Sequence, residues 1–202
     1  MVSKTDNSNN IKTIDEVRKL KSYTDGFLCK LTDNTYNIKF INFRVRDLDS
    51  GFVLFEVKDD SDMLSSNNNN NNEENVESFN ESEVDDSLRV IKYHLGPEFL
   101  SLKNIGTLLK FSVGKSQVKD FMLIERHYFK DQLVKSFEFK FDFCMPNSIN
   151  EWETIYNIPE LDPELKQQMI DFPWETRSDS FYFVEGKLII HNKAIYNYSN
   201  LD

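Results

Sequence analysis

Most of the chain alternates between apolar and polar residues with period two. The clearest stretch is 134–145, where Phe137, Phe139, Phe141 and Phe143 point one way and Ser136, Glu138, Lys140 and Asp142 the other. Successive side chains of a strand face opposite sides, so this stretch predicts one dry and one wet face, as in an antiparallel sandwich. Upstream, Tyr36, Ile38 and Phe40 share a face; the phase then slips, and Ile41, Phe43 and Val45 follow, which predicts a bulge. Asp49-Ser50-Gly51 has turn chemistry, and Phe52 to Val57 reads as the returning strand of a hairpin. Residues 88–95, 107–113, 118–129, 180–185 and 187–193 also read as strands. Strands this short and this numerous predict an all-β sandwich.

Two segments carry helical spacing instead. Thr13 and Glu16 are placed as a capping box, and Ile14, Val17 and Leu20 form one apolar stripe. A helix that short is marginal alone, so it is expected to dock on the body or fray. Asp162 to Phe172 has Pro163 at the first helical position, Leu165, Met169 and Ile170 on one face, and Pro173 as the stop. It predicts one helix crossing between strands.

Composition adds two points. Phe is unusually common, at 17 against 8 Tyr and 2 Trp, which suits a sheet protein or an interior wider than its own side chains fill. The formal charge of −10 is local: ten acidic residues and no Lys or Arg lie between Asp59 and Asp86, leaving 24 acidic and 24 basic residues elsewhere. No basic stripe argues for nucleic acid. Residues 59–87, with six consecutive Asn at 67–72, predict a disordered loop between strands, and residues 1–12 a disordered N-terminus. Residues 13–202 are then one domain.

Candidate chemistry is sparse. There is no P-loop, no GxGxxG after a strand, no GxSxG elbow and no HExxH, so neither an enzyme nor a cofactor is expected. Cys29 and Cys144 are the whole cysteine complement, too few for a disulfide framework or a zinc site. A Cys144–His127 dyad is the one conceivable nucleophile, and Cys144, in phase with Glu138 and Lys140, suits plain packing better. The opening Met-Val-Ser-Lys lacks a signal peptide or a myristoylation glycine, and no run reaches membrane-spanning length. A cytoplasmic setting without membrane insertion is the expectation.

One strand conflicts with a simple core. Alternation puts Phe121, Leu123, Glu125, His127 and Phe129 on one face, and Met122, Ile124, Arg126 and Tyr128 on the other. An unpaired buried charge is costly, so Glu125 and His127 need partners if they point inward. Two readings stay open: they pair with each other or a nearby backbone, or they form a polar lip on an apolar cavity. Ser180 and Tyr182, beside Phe181 and Phe183, pose the same question. The Phe ladder reads equally as ordinary core or as cavity lining.

Several stretches resemble a known family. Val45 to Val57, Tyr93 to Phe99, Leu123 to Ser148 and Glu175 to Ser199 are similar to the uncoordinated (Unc) acyl-binding chaperones, also called retinal protein four. These are relatives of the delta subunit of rod cyclic-GMP phosphodiesterase. Glu125 to Phe129, Ser178 to Val184 and the N-terminal helix favour the Unc branch over the prenyl-binding delta branch. The resemblance implies an immunoglobulin-like sandwich with a deep acyl pocket between its sheets. It implies clients bearing N-terminal myristoyl or similar groups, including G-protein alpha subunits and ciliary proteins, released by a GTP-bound Arf-like small GTPase. By motif, the pocket mouth falls on Tyr93, Glu125, His127, Ser180 and Tyr182, with Phe99, Phe137 and Phe139 as apolar lining. The acidic Asn-rich stretch departs from the family pattern. A prenyl-binding delta-type carrier and a solid sandwich adaptor are the alternatives.

Overall fold

A computed structural model describes residues 13–58 and 89–200. The expected disordered N-terminus and Asn-rich loop lie outside the described residues. Strands run β1 Lys39–Asp47, β2 Val53–Lys58, β3 Val90–His94, β4 Asn104–Ser112, β5 Val118–Phe129, β6 Gln132–Cys144, β7 Ile149–Asn157, β8 Thr176–Val184 and β9 Lys187–Asn197. Helix α1 is Ile14–Arg18 and helix α2 is Pro163–Asp171. The strands form two sheets, β2-β1-β4-β7 and β3-β9-β8-β5-β6. All described pairings are antiparallel except β3 with β9. This is the immunoglobulin-like all-β sandwich that the pattern and the resemblance imply.

Local signals act where the sequence places them. The β1–β4 register shifts between Phe40 and Asn42, at the slip in alternation. In the β1–β2 turn the Asp47 carboxylate accepts from the amides of Asp49 and Ser50, and Gly51 takes φ +75°, which a side chain would strain. Thr13 and Glu16 close a reciprocal capping box on α1. Asp162 accepts from the amides of Glu164 and Leu165, and Pro163 needs no partner there. The packed face of α2 (Leu165, Met169, Ile170) joins one hydrophobic cluster with Phe129, Tyr196 and Tyr198.

Two features correct the sequence reading. Strand β7 is absent from it, although Trp152, Thr154 and Tyr156 are buried and Glu151, Glu153 and Ile155 exposed in strict alternation. The Phe ladder also ends early. Phe143 is 47 % exposed while Cys144, expected on the wet face, is 1 % exposed in the core. Across the ladder Asp120 adopts φ +49°, between the paired positions Lys119–Phe143 and Phe121–Phe141. That local twist turns the strand ends, so Val118 and Cys144 enter the core where alternation points Phe143 inward.

Residues 14–28 form a strap over the outer face of the five-stranded sheet. Val17, with Ile14, Leu20 and Leu28, packs on Ile124, Phe181, Phe183 and Leu188. Strand β5 is therefore covered on both faces, as its double apolar pattern implies.

Candidate functional site

The sandwich is solid at one end and hollow at the other. Phe111, Val118 and Phe121 fill the solid end completely. Beyond them a cavity of about 610 Å³ lies between the sheets, and a pocket of about 90 Å³ shares Phe43, Tyr93, Thr107, Glu125, Tyr156 and Tyr196 with it. Its volume falls within the roughly 300–1,000 Å³ of small-molecule sites. Strand register explains the wall. Cross-strand pairs Leu109–Trp152 and Thr107–Thr154 face Leu123–Tyr182 and Glu125–Ser180 on the opposite sheet. Exposed Val57 and Lys58 at the end of β2 also line the hollow, so it reaches the surface on that side.

Polar groups gather around one carboxylate. Tyr156 donates its hydroxyl to Glu125 Oε2 at 2.6 Å. His127 Nε2 lies 2.9 Å from Glu125 Oε1, close enough for an ion pair but not aligned as a hydrogen bond, so Nε2 keeps no hydrogen-bond partner. Ser178 and Tyr196 bond to each other at 2.9 Å, as do Thr107 and Thr154 at 2.6 Å. Among the described residues, no hydrogen bond reaches the hydroxyls of Tyr93 or Tyr182, and both residues line the cavity.

Electrostatics fixes the character of these groups. Burial pushes the Glu125 carboxyl up, but the adjacent His127 imidazole and the hydrogen bond from Tyr156 outweigh it, so the group sits below its ordinary range. Burial raises the phenols of Tyr93, Tyr156, Tyr182 and Tyr196, and the negative charge of Glu125 raises them further. All four stay protonated at neutral pH. The hollow thus offers neutral hydroxyl donors around one anion, inside a largely apolar wall. Such a site orients a ligand with amide or carbonyl groups at one end and hydrocarbon at the other.

The eight residues named from sequence sort by depth. Tyr93 and Glu125 line both compartments, Ser180 and Tyr182 the larger, and Phe99, His127 and Phe137 the smaller. Phe139 lies behind the wall, parallel to Phe137 at 6.3 Å and packed on Tyr156 at 4.8 Å. Tyr182 stands one level further in than Glu125 and Ser180, against Phe40 and Phe121 at the solid end, not at a rim. Trp152, Thr154 and Tyr156 escape the sequence reading, and the alternation of residues 149–157 is the signal that carries them. Cys144 and His127 do not form a dyad: Cys144 packs in the solid end, and burial raises its thiol to about 11.

A second histidine–carboxylate pair lies on the outer face of the same sheet. His191 Nδ1 accepts from the Leu28 amide at 2.9 Å, so its proton sits on Nε2, 3.1 Å from Asp179 Oδ1. Asp179 also accepts from the amide and hydroxyl of Thr24 at 3.0 Å each, and Lys193 Nζ lies 3.1 Å away. Lys193 donates to the Thr24 hydroxyl and carbonyl, and Arg89 to the carbonyls of Cys29 and His191. Burial, with the nearby Lys193 and Arg89 cations, holds His191 below its ordinary value. This cluster fastens the strap.

Comparison with known proteins bears on the hollow. Residues 32–198 match the GMP-PDE delta-subunit family. The chain belongs to that family. Proteins similar to it include the zebrafish (Danio rerio) protein unc-119 homolog B, 46 % identical over 187 residues, covering 93 % of this chain and 74 % of that protein. Caenorhabditis elegans protein unc-119 is 46 % identical over 186 residues, covering 92 % and 79 %. Human protein unc-119 homolog B is 43 % identical over 186 residues, covering 92 % and 71 %. This likeness extends beyond the family-matched span, so it takes in part of the chain before residue 32.

Proposed function

We propose that this chain is a lipid-binding carrier whose hollow sequesters the N-terminal myristoyl or similar acyl group of client proteins. The observation that carries the reading is the cavity of about 610 Å³, apolar along its walls with Glu125 and protonated tyrosines grouped within it. Membership of the delta-subunit family supports it. Each buried methylene contributes about 0.8 kcal/mol, so about a dozen give on the order of 10 kcal/mol gross. A single myristoyl chain holds a bilayer with K of only about 10⁴ M⁻¹, so such a cavity competes with membrane. Tight holding makes spontaneous release slow. A GTP-bound Arf-like small GTPase that prefers a widened sandwich would lower acyl affinity through linkage, and acyl cargo would lower GTPase affinity equally. Clients of this chemistry include acylated G-protein alpha subunits and ciliary proteins, met in the cytoplasm.

Titration with matched peptides tests the reading. Myristoylated Gly-initiated peptides should bind at least about 100-fold more tightly than unmodified ones, a difference of ~2.7 kcal/mol. Equal binding overturns the carrier, and preference for a farnesylated peptide replaces the acyl group with a prenyl one.

A further inference from the structure

The solid end of the sandwich has a built face toward the hollow. Trp152 lines the cavity, and its indole packs against Phe121 at 5.3 Å between ring centres. Phe121 in turn contacts Phe111 at 5.4 Å and Tyr182 at 5.9 Å, and Tyr182 meets Phe40 at 5.1 Å. Phe111 and Phe121 are wholly buried and stand behind the wall, while Trp152, Tyr182 and Phe40 are on it. Tyr93 and Tyr196 carry their hydroxyls at the other end of the hollow. Tyr182 pairs beside Leu123, and six residues away along β8 Thr176 pairs with Tyr196. At about 3.3 Å per residue those levels are roughly 20 Å apart.

Resting on the carrier reading, we infer that Trp152, backed by Phe121 and Phe111, is the floor that limits the length of the acyl chain accepted. With Tyr93 and Tyr196 at the amide end, added methylenes extend toward this floor. Aliphatic side chains there would yield by changing rotamer. Interlocked rings in a close-packed core do not, because moving one displaces the next. Chains short of the floor gain affinity with length, and chains that reach it stop gaining.

The test is the affinity of Gly-initiated peptides bearing saturated acyl chains of increasing length, for the full protein and two variants. Trp152→Ala deepens the cavity at its floor. Leu109→Phe, paired across from Trp152, fills it from the side and adds no buried polar group. For the parent, each two methylenes should raise affinity about tenfold up to a break point. The break should move to longer chains in Trp152→Ala and to shorter ones in Leu109→Phe, with thermal melts confirming folding. If Trp152→Ala fails to fold, the shift in Leu109→Phe decides. An unmoved break point in folded variants overturns the floor while leaving acyl binding intact. Absence of acyl binding by the parent overturns the carrier reading and the floor with it.

Discussion

The five-stranded sheet carries a buried histidine–carboxylate pair on each face, and the two are built differently. On the outer face every valence is used: Asp179 is met by His191, Lys193 and both donors of Thr24, and His191 by the Leu28 amide. On the inner face Glu125 has one aligned donor, Tyr156, and His127 Nε2 has none. A saturated buried cluster specifies one arrangement, whereas an unsaturated one is costly unless something else completes it. The strap completes the outer cluster, and in the proposed carrier a ligand would complete the inner one. Strand β8 shows the division residue by residue, with Ser178, Ser180 and Tyr182 on the hollow and Asp179, Phe181 and Phe183 under the strap.

The largest expected effect breaks the saturated side. Asp179→Ala leaves Lys193 buried without its anion and the Thr24 amide unmet, while the Thr24 hydroxyl keeps the Gly26 carbonyl. Unfolding free energy from urea titration should fall by about 3–5 kcal/mol. A loss under about 1 kcal/mol would make the outer cluster no more structural than the inner one. Next, Glu125→Ala should weaken acyl-peptide binding by about 1–3 kcal/mol while stability falls less. Equal losses in binding and stability would make the inner pair structural, and normal binding would remove it from the site.

Acid should separate the faces by window. His191 is held below its ordinary value of about 6.5, so between that value and the folded one the unfolded chain binds a proton that the folded chain refuses. Stability therefore falls as pH drops below about 6.5. Glu125 and Asp179 are also depressed, so their contribution is present above about pH 4 and is lost only as pH falls through their lower folded values. Urea midpoints between pH 7.5 and 5 should decline in the parent and decline less in His191→Asn, whose amide oxygen keeps an acceptor near the Leu28 amide. An equal decline in both would assign the acid sensitivity elsewhere. The smallest effect is Tyr182→Phe: with no hydrogen bond to the phenol among the described residues, stability should change by less than about 0.5 kcal/mol. A larger loss would mean that the hydroxyl is structural after all.

Much of the fold was legible because its signals are local. The bounds of β5, the slip in β1, the Thr13–Glu16 box and the Pro163 start depend on neighbours within a few residues, and each appears as expected. The Glu125–His127 conflict was visible for the same reason: two ionisable residues interrupt an apolar face. Strand β7 was missed because Glu151 and Glu153 make its outer face strongly polar and Ile155 is exposed, which dilutes an alternation that Trp152, Thr154 and Tyr156 nevertheless keep. The outer cluster was invisible, since Thr24, Arg89, Asp179, His191 and Lys193 meet from four separated segments.

Period-two patterning says which side of a strand is dry, and with it the all-β class and the polar interruption at Glu125 are already implied, as turn chemistry implies the turn at Asp49-Ser50-Gly51. It does not say what stands opposite. Whether the Phe-rich faces interlock or stand apart depends on how far the sheets are held from each other, and that distance is set by all the facing side chains at once. At one end Phe111, Phe121 and Trp152 meet and fill the gap; a few residues along the same strands, Thr107, Thr154, Ser178 and Ser180 are too short to cross it. The hollow, its floor and the depth of Tyr182 arise from that mismatch of side-chain lengths across the sandwich, a property of pairs brought together from distant segments of the chain.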